Sequence, residues 1–546
     1  MMFERFFHRH RHHHRRRGSQ RESASSRRIN VESQEPRKPI DWLTWVGIFI
    51  FTVIFIGGLH PTAYIIDAEV RANVWALCGL FAIWALATWF LEKWRIAESR
   101  PALWIFAMLA AFAVIGGLQL IPLPASLVTS LSPAQREIQQ SFLAVGIETP
   151  ARIPFATAPE KAVASWNQLL AMGCFFVGVT ALSTRRQGAT AMILAVIGFS
   201  FIEGIIGVLR FTFTATGRTS GILYNPNHHA AAVIMGLPLA LAAVSYLRSS
   251  HWGRMRAQIS SRNDQLLMLS VIACIAAIGW LLSMSRGSLI TGAFVLAGWW
   301  VIEALMNYRE YSRRQRITFW VWFRGLPLLP ILIPCICLLL LLFSAAYLPK
   351  IVARLSTSDQ HLFGRMELWT ASMKGLAQSN FLGLGLGGTE YALNRYITSN
   401  TTRYAPIQAH NDFVQIVTEL GVVAGIIGAI CLAGCVRALY RQEAELAQKR
   451  TWTKRLPRRA MFVGVLITII HSFFDFHLRV PSVSIEFLTL LALLLNVEGS
   501  EPLTDHNSRH KIRHREIEEN PNLRPAEEAK SEHLANPTAF GLIEFG

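Results

Sequence analysis

Long apolar runs, many of about 20 residues, recur along this chain and limit what it can fold into. A helix of that length crosses the roughly 30 Å of hydrocarbon in a bilayer. The runs do not alternate apolar and polar residues as the strands of a membrane barrel would. Charged residues make up only 16% of the chain, against about a quarter in soluble proteins. The sequence therefore predicts an all-α, polytopic integral membrane protein.

The apolar runs predict about 12 transmembrane helices. They are expected near residues 40–58, 72–91, 102–121, 164–182, 188–209, 227–247, 266–283, 287–306, 326–347, 412–435, 460–474 and 482–497. This arrangement leaves two sizeable outer segments, 122–163 and 348–411, of which the second, between helices 9 and 10, is the larger.

Lysine and arginine set the orientation of the spans. The side that holds both tails and the even-numbered loops carries about three times as many of these residues as the other side. The positive-inside rule makes that side cytoplasmic, so both termini are predicted to be cytoplasmic and the two large loops to lie outside. The formal net charge of +18 then belongs to loops and tails, and nucleic-acid binding is not expected. The tails, 1–39 and 498–546, are predicted to be disordered.

Polar residues near membrane depth are costly and indicate function by default. One outer segment contains Arg218 and enters the sixth span through Asn225 and Asn227. The alternative for this segment is a simple helix cap. A second polar residue, Arg286, lies in the tight outer turn between the seventh and eighth spans. Its alternative is an arginine that reaches lipid headgroups.

The large outer loop holds six Lys or Arg and only three acids, which suits an anionic ligand such as a phosphate or diphosphate. Arg354 and Arg365 lie in this loop, and Trp369 follows Arg365 by one helical turn. The glycine run 383–388 permits close approach of the backbone to a ligand, or forms a flexible loop, and it lacks the Lys-Ser/Thr ending of a P-loop.

The loop ends in His410, directly before the tenth span. A histidine with a near-neutral pKa can remove a proton from a hydroxyl group, although a hydrogen-bonded structural histidine is the alternative. Asn411 and Asp412 follow as helix caps or as site residues. In the eleventh span, His471 and Asp475 are four residues apart and are predicted to share a helix face. No Cys/His cluster has zinc spacing, so no metal site is predicted.

The order of these elements resembles the O-antigen ligase and polymerase superfamily of bacterial polysaccharide assembly. The matching elements are Asn225-Pro226-Asn227, Ser285-Arg286-Gly287, Arg365 with Trp369, the 383–388 glycine run, His410-Asn411-Asp412 with Glu419, and HSFFDFHLRVP at 471–481. The resemblance covers about residues 160–497 as an O-antigen ligase-like domain, preceded by three spans and a periplasmic loop at 40–159.

The resemblance implies a GT-C-like fold in the bacterial inner membrane and a metal-independent, inverting glycosyltransferase that needs no cofactor and acts at the periplasmic face. The donor would be an undecaprenyl-diphosphate-linked glycan, and the acceptor a glycan or lipid A-core. The implied catalytic residues are Arg286, Arg365 and His410. The implied substrate-binding residues are Arg218, Asn225, Asn227, Arg354, Trp369, Gly385, Gly387, Asn411, Asp412, Glu419, His471 and Asp475.

Several other functions remain open. Within the superfamily, the chain could ligate a glycan to lipid A-core, polymerise repeat units, or glycosylate a protein. A transporter or flippase of anionic lipids or solutes would place its polar residues at the midplane and show an inverted repeat. The main mid-membrane acid is Glu203, and no clear repeat relates the two halves. A receptor that uses the outer loop only for binding is a third possibility.

Overall fold

The computed structural model describes residues 42–58, 68–92, 100–213, 218–249, 259–315, 358–397, 406–449 and 455–496. Arg354, the ninth predicted span and both predicted disordered tails lie outside these residues.

The described part of the chain consists of α-helices, two short 3-10 turns and one small antiparallel sheet. The sheet pairs β1 (Leu123–Pro124) with β2 (Arg152–Ile153), and the 3-10 turns are Gly221–Leu223 and His477–Arg479. The helices are α1 (Trp42–Gly58), α2 (Ala68–Glu92), α3 (Arg100–Leu118), α4 (Ala125–Leu131), α5 (Pro133–Ala144), α6 (Pro159–Ser183), α7 (Arg186–Phe213), α8 (Pro226–Ser249), α9 (Ile259–Leu282), α10 (Arg286–Gln315), α11 (Ser358–Ala377), α12 (Thr389–Tyr396), α13 (Asp412–Lys449), α14 (Leu456–His471) and α15 (Pro481–Leu495).

The prediction of a helical, multi-pass membrane protein is confirmed. Eight of the described helices are long and apolar enough to cross a membrane, and α1 and α15 are shorter apolar helices. Each predicted span within the described residues coincides with a helix. The total of 12 spans stays a prediction.

Helix α8 is the central span of the bundle. In its apolar stretch 83% of the residues are buried within the protein, against 28–44% in the other long spans. It packs against α7, α9 and α14. Small residues allow the neighbouring backbones to approach, because a Cβ added at Gly279 of α9 would lie 2.6 Å from Cα of Gly204 in α7. The backbones of α7 and α9 are therefore in close contact beside α8.

The described parts of the two predicted outer segments, 122–163 and 348–411, pack on each other and form one cap at one end of the bundle. The N–H of Ala134 in α5 donates to the carbonyl of Gln378 after α11 (2.8 Å), and the N–H of Thr157 donates to the carbonyl of Leu384 (2.8 Å). Lys161 of α6 also pairs with Glu390 of α12. The segment 122–163 is thus an ordered support for the larger loop.

The glycine run docks on a kink in α13. Gly421 interrupts that helix with φ +87°, and the N–H groups of Leu384 and Gly385 donate to the carbonyls of Thr418 and Glu419, each at 2.9 Å. A Cβ at Gly383 (φ +91°) would lie 2.4 Å from the Glu419 carbonyl oxygen. The described structure therefore favours a docked, closely packed turn over a flexible loop at this place.

Candidate active site

Asp475 is the centre of the site, in the loop between α14 and the His477–Arg479 turn. Its side chain is fully buried. One oxygen, Oδ1, lies 2.9 Å from Nδ1 of His410 and accepts from the Phe476 N–H at 3.0 Å. The other, Oδ2, accepts from the amide of Asn227 at 2.6 Å and lies 3.8 Å from the Arg365 guanidinium. Three distant parts of the sequence thus meet at one carboxylate.

The charge on Asp475 determines the tautomer of His410. Burial alone would raise the pKa of Asp475, but the hydrogen bond with His410 and the neighbouring His477 hold it well below its usual value. An ionised carboxylate only accepts, so Nδ1 of His410 carries the proton and donates it. This leaves the lone pair on Nε2, which makes no hydrogen bond to a described residue, on a side chain that is 35% exposed. His410 is arranged as a proton acceptor.

Unusual backbone conformations coincide with the predicted motifs. His410 itself has φ +52°, Tyr224 before Asn225 has φ +56°, and Met284 before the Ser285 turn has φ +48°. Residues other than glycine rarely adopt this left-handed conformation, and it concentrates at functional sites. The Phe476 ring packs edge-on against His410, with ring centroids 4.9 Å apart, and this contact fixes the imidazole.

Arg218 joins the site through Asn227. Its guanidinium donates to Oδ1 of Asn227 at 3.3 Å and to the carbonyl of Ser283 at 3.1 Å. Asn227 is thereby held at one end by Arg218 and at the other by Asp475. Ser283 belongs to the connection that leads into Arg286, so the two predicted outer segments are adjacent.

Arg286 is the first residue of α10, beside the same cluster. A Cβ added at the next residue, Gly287, would lie 2.9 Å from Nε2 of His471. The Arg286 side chain is half-buried and makes no hydrogen bond or ion pair with any residue that the structure describes. Its donors are therefore available for an anionic ligand.

Three buried histidine side chains lie near Asp475, those of His228, His471 and His477. His228 Nδ1 lies 3.1 Å from His477 Nδ1, and the His471 and His477 ring centroids are 4.1 Å apart. Burial lowers the pKa of His477 well below its ordinary value, and neighbouring His471 lowers it further. Neutral imidazoles can pack at this distance without charge repulsion.

His471, Asp475 and His477 also form a group with metal-ligand chemistry. One ligand atom from each lies within 4.8 Å of the others, and all three residues are buried. Nitrogen and carboxylate ligands suit zinc and related ions. However, both oxygens of Asp475 already accept hydrogen bonds, and the Arg365 cation faces the same carboxylate. These contacts compete directly with a metal ion, so the group fits a hydrogen-bonded support better than a metal site.

A second polar cluster fastens the cap to the bundle. Glu419 accepts from Thr389 of α12 at 2.9 Å, from Gln415 at 3.0 Å and from Arg479 at 2.8 Å. Asp412 accepts from the N–H of Leu478 at 3.0 Å. Glu419 and Asp412 thus anchor α12 and the 472–480 loop to α13, and a contact of either acid with substrate stays a prediction.

Two predicted residues cap helices. Oδ1 of Asn411 accepts from the N–H groups of Phe413 and Val414 at 3.0 and 3.1 Å, at the start of α13. Asn225 accepts from the N–H of Asn227 at 2.9 Å, directly before α8. The capping alternative therefore describes Asn411 and Asn225, whereas Asn227 reaches into the site.

Other predicted residues lie beside the site or pack in the cap. Gly385 and Gly387 pack against Ala156 and Lys161 of the other outer segment. Trp369 lies on α11 one turn after Arg365, with a buried indole N–H that has no partner among the described residues. A contact of these three with substrate stays a prediction.

One local prediction is wrong. Helix α14 ends at His471, so His471 and Asp475 do not share a helix face. The helix does not continue beyond His471, and Oδ1 of Asp475 faces Nδ1 of His410. Residues 456–471 form α14. Asp475 and Phe476 lie after this helix and contact His410, which directly precedes the start of α13.

The sequence reasoning missed several contributors. His228 and His477 were not expected in the site, although the segment HSFFDFH and the pair His228-His229 both carry histidines beside the motif residues. Arg479 was missed as well, although it lies in the matching segment 471–481 and is a cation between two apolar helices. Contacts between such distant segments cannot be read from spacing.

Residues 271–429 match a family model described as O-antigen ligase. This segment of the chain is similar to O-antigen ligases. The predicted resemblance to the superfamily is thereby confirmed, and the match supports a ligase- or polymerase-type role in polysaccharide biosynthesis. The matched O-antigen ligase region includes Arg286, Arg365 and His410, whereas Asn227 and Asp475 lie outside it. Among curated proteins, none matches the chain significantly.

Proposed function

We propose that the protein transfers a glycan from a polyprenyl-diphosphate carrier to an acceptor hydroxyl at the periplasmic face of the bacterial inner membrane. The observation that carries the proposal is the buried Asp475 carboxylate, shared by His410 and Arg365. This arrangement sets a proton acceptor beside a cation, which transfer from a diphosphate requires.

In the proposed reaction, Nε2 of His410 removes the proton of the acceptor hydroxyl. The acceptor oxygen attacks the anomeric carbon of the donor sugar from the face opposite the diphosphate. The bond between that carbon and the phosphate oxygen breaks, its electron pair stays on the diphosphate, and the anomeric configuration inverts. Asp475 stabilises the imidazolium that forms. General-base catalysis of this kind contributes about 10²–10⁴-fold.

Arg365 and Arg286 would stabilise the charge that grows on the leaving diphosphate. Arg365 is 28% exposed and only 3.8 Å from Asp475, so its planar group can face both the carboxylate and a phosphate. Arg286 is available for the same anion. Arg218 is already engaged with Asn227 and Ser283, and its proposed part is to hold the wall of the site.

The position of the polar residues supports transfer over transport. The polar residues of the site meet at the end of the bundle that carries the cap, beside the first residues of α8, α10 and α13. These residues are His410, Asp475, Arg365 and Asn227. A flippase or anion transporter would concentrate such residues midway along broken helices.

The test uses purified protein in lipid nanodiscs with a polyprenyl-diphosphate oligosaccharide and candidate acceptors. Transfer is expected with wild type and a loss of at least about 100-fold with His410→Ala. The matched control is Glu137→Gln, which removes a surface ion pair of the cap and should transfer normally. Wild-type levels of transfer by His410→Ala, or flipping of the donor without transfer, would contradict the proposal.

The members of the superfamily differ in their acceptor, so the glycans of a strain that lacks the gene distinguish the possible activities. A strain that lacks the gene and accumulates uncapped lipid A-core with intact carrier-linked polymer indicates a ligase. Accumulation of single repeat units indicates a polymerase. Loss of glycan from a protein indicates a protein O-oligosaccharyltransferase.

A further inference from the structure

Glu203 is an acidic residue fully buried within the helical bundle, outside the proposed catalytic cluster. It lies in α7, and its Oε2 is 2.8 Å from Nδ1 of His229 in α8. The same oxygen accepts from the N–H of Ile222 at 3.1 Å. Both side chains of the Glu203–His229 pair are fully buried. An ionisable residue at such depth is costly, so a function is expected for it.

The contact of Nε2 of His229 indicates how many protons the Glu203–His229 pair holds. Nε2 lies 3.2 Å from the carbonyl oxygen of Gly279 in α9, and a carbonyl can only accept, so Nε2 carries a proton. The remaining contact, between Nδ1 and Glu203, holds one proton between two acceptors whichever atom carries it. The pair therefore links α7, α8 and α9 through charge-assisted or shared-proton hydrogen bonds, which are stronger than neutral ones.

The Glu203–His229 pair contacts residues 218–229, the segment that contains Asn227. Ile222 belongs to the turn Gly221–Leu223, and His229 follows Asn227 by two residues on the first turn of α8. A Cβ at Gly221 (φ +53°) would lie 1.8 Å from Oε2 of Glu203, so turn and acid are in direct contact. Arg210 of α7 adds a hydrogen bond to the Gly221 carbonyl at 2.7 Å. Residues 218–229 are thus held from behind by α7.

We infer that Glu203 is a positioning residue for the proposed transfer, because it holds the Gly221–His229 segment so that Asn227 donates to Asp475. It acts through Asn227 on Asp475, and through Asp475 on His410. This inference rests on the proposed function for its kinetic tests. Its structural part, the tether itself, is independent of any activity.

The first experiment measures transfer by Glu203→Ala, Asn227→Ala and the double variant in nanodiscs. Each single change should lower kcat about tenfold or more, with KM for the donor within about twofold, since only the alignment of the proton acceptor is lost. The double variant should be no slower than the slower single variant, because both changes break one chain of contacts. Effects that multiply in the double variant would overturn the inference.

The pH profile gives a second readout that general destabilisation would not move. Asn227→Ala removes a hydrogen bond from Oδ2 of Asp475 and so changes the carboxylate that faces His410, which should displace the acid limb of kcat. Glu203→Ala should show the same displacement as Asn227→Ala. An unchanged profile in Glu203→Ala would contradict the inference.

The matched control is Glu303→Ala. Glu303 is a buried acid of α10 that pairs with Arg459 at 2.9 Å, far along the chain from residues 218–229. Its loss should reduce thermal stability but leave the pH profile unchanged. The same pH displacement in Glu303→Ala would show that the effect is general, and would overturn the assignment to Glu203.

Hydrogen–deuterium exchange tests the tether without donor or acceptor. Exchange in peptides that cover 218–229 should rise in Glu203→Ala and stay unchanged in Glu303→Ala. If wild type shows no transfer but this exchange rises as expected, the proposed function fails and the tether stands. If wild type shows transfer but exchange is unchanged in Glu203→Ala, the tether is contradicted and the proposed function stands.

Discussion

Nδ1 of His410 and Oδ1 of Asp475 are 2.9 Å apart, although 65 residues separate them in the sequence. The carboxylate is buried and the imidazole is partly exposed, so the pair presents one imidazole nitrogen outward and fixes the other. This relationship orients the His410 imidazole, which precedes α13, through a residue of the loop after α14.

Asp475→Asn should abolish most of the transfer while leaving the fold intact. Asparagine has nearly the same shape but no charge, so it neither selects the Nδ1–H tautomer of His410 nor stabilises the imidazolium. We expect kcat to fall about 10²–10⁴-fold and KM for the donor to change little. Steady-state kinetics in nanodiscs measure both. A variant that keeps wild-type kcat would exclude Asp475 from the orientation of His410.

The contribution of His477 to the stability of the protein should fall as the pH drops below about 6.5. Burial lowers the pKa of His477 from its ordinary value of 6.5, so the unfolded chain binds a proton there before the folded chain does. This contribution is fully present above 6.5 and is lost progressively below it. Asp475, whose pKa is lowered from 3.8, adds a second loss only below that pH. Melting temperatures between about pH 5 and about pH 8 measure the first effect.

The control for this pH effect is His477→Gln, which keeps a polar side chain without a titrating group. Its melting temperature should be lower at neutral pH but should decrease less between neutral and mildly acidic conditions. An equally steep decrease in this variant would assign the pH dependence to other groups.

The sequence predicted the elements of this molecule better than their meeting points. Apolar runs place both ends of α8 and the start of α13 within a few residues, because a membrane span demands an unbroken apolar stretch. Helix α13 continues to Lys449, beyond the predicted end of its span at residue 435. The role of Asn411 as the N-cap residue of α13 also follows from local chemistry. By contrast, Asn227 donates to Asp475 across 248 residues, and no local pattern encodes that contact. The end of α14 at His471 was misplaced for the same reason, since contacts with α13 decide where Asp475 points.

Arg365→Lys should impair transfer almost as much as Arg365→Ala. A lysine keeps the charge but loses the planar fork that can face Asp475 and a phosphate together. We expect a decrease of about tenfold or more in kcat/KM for the lysine variant. Lys374→Ala on the same helix, where the side chain is exposed, is the control and should act normally. Full activity of the Arg365→Lys variant would show that a point charge suffices.

Gly383→Ala should detach the cap from the kink of α13. The left-handed conformation at φ +91° is unfavourable for alanine, and the new Cβ would lie 2.4 Å from the Glu419 carbonyl oxygen. We expect a loss of at least about 2 kcal/mol in stability, measured by thermal or denaturant unfolding. Gly364→Ala is the matched control, because a Cβ there meets nothing within 4 Å and alanine favours the helix by about 1 kcal/mol. Equal stability of the two variants would contradict the close docking of the glycine run.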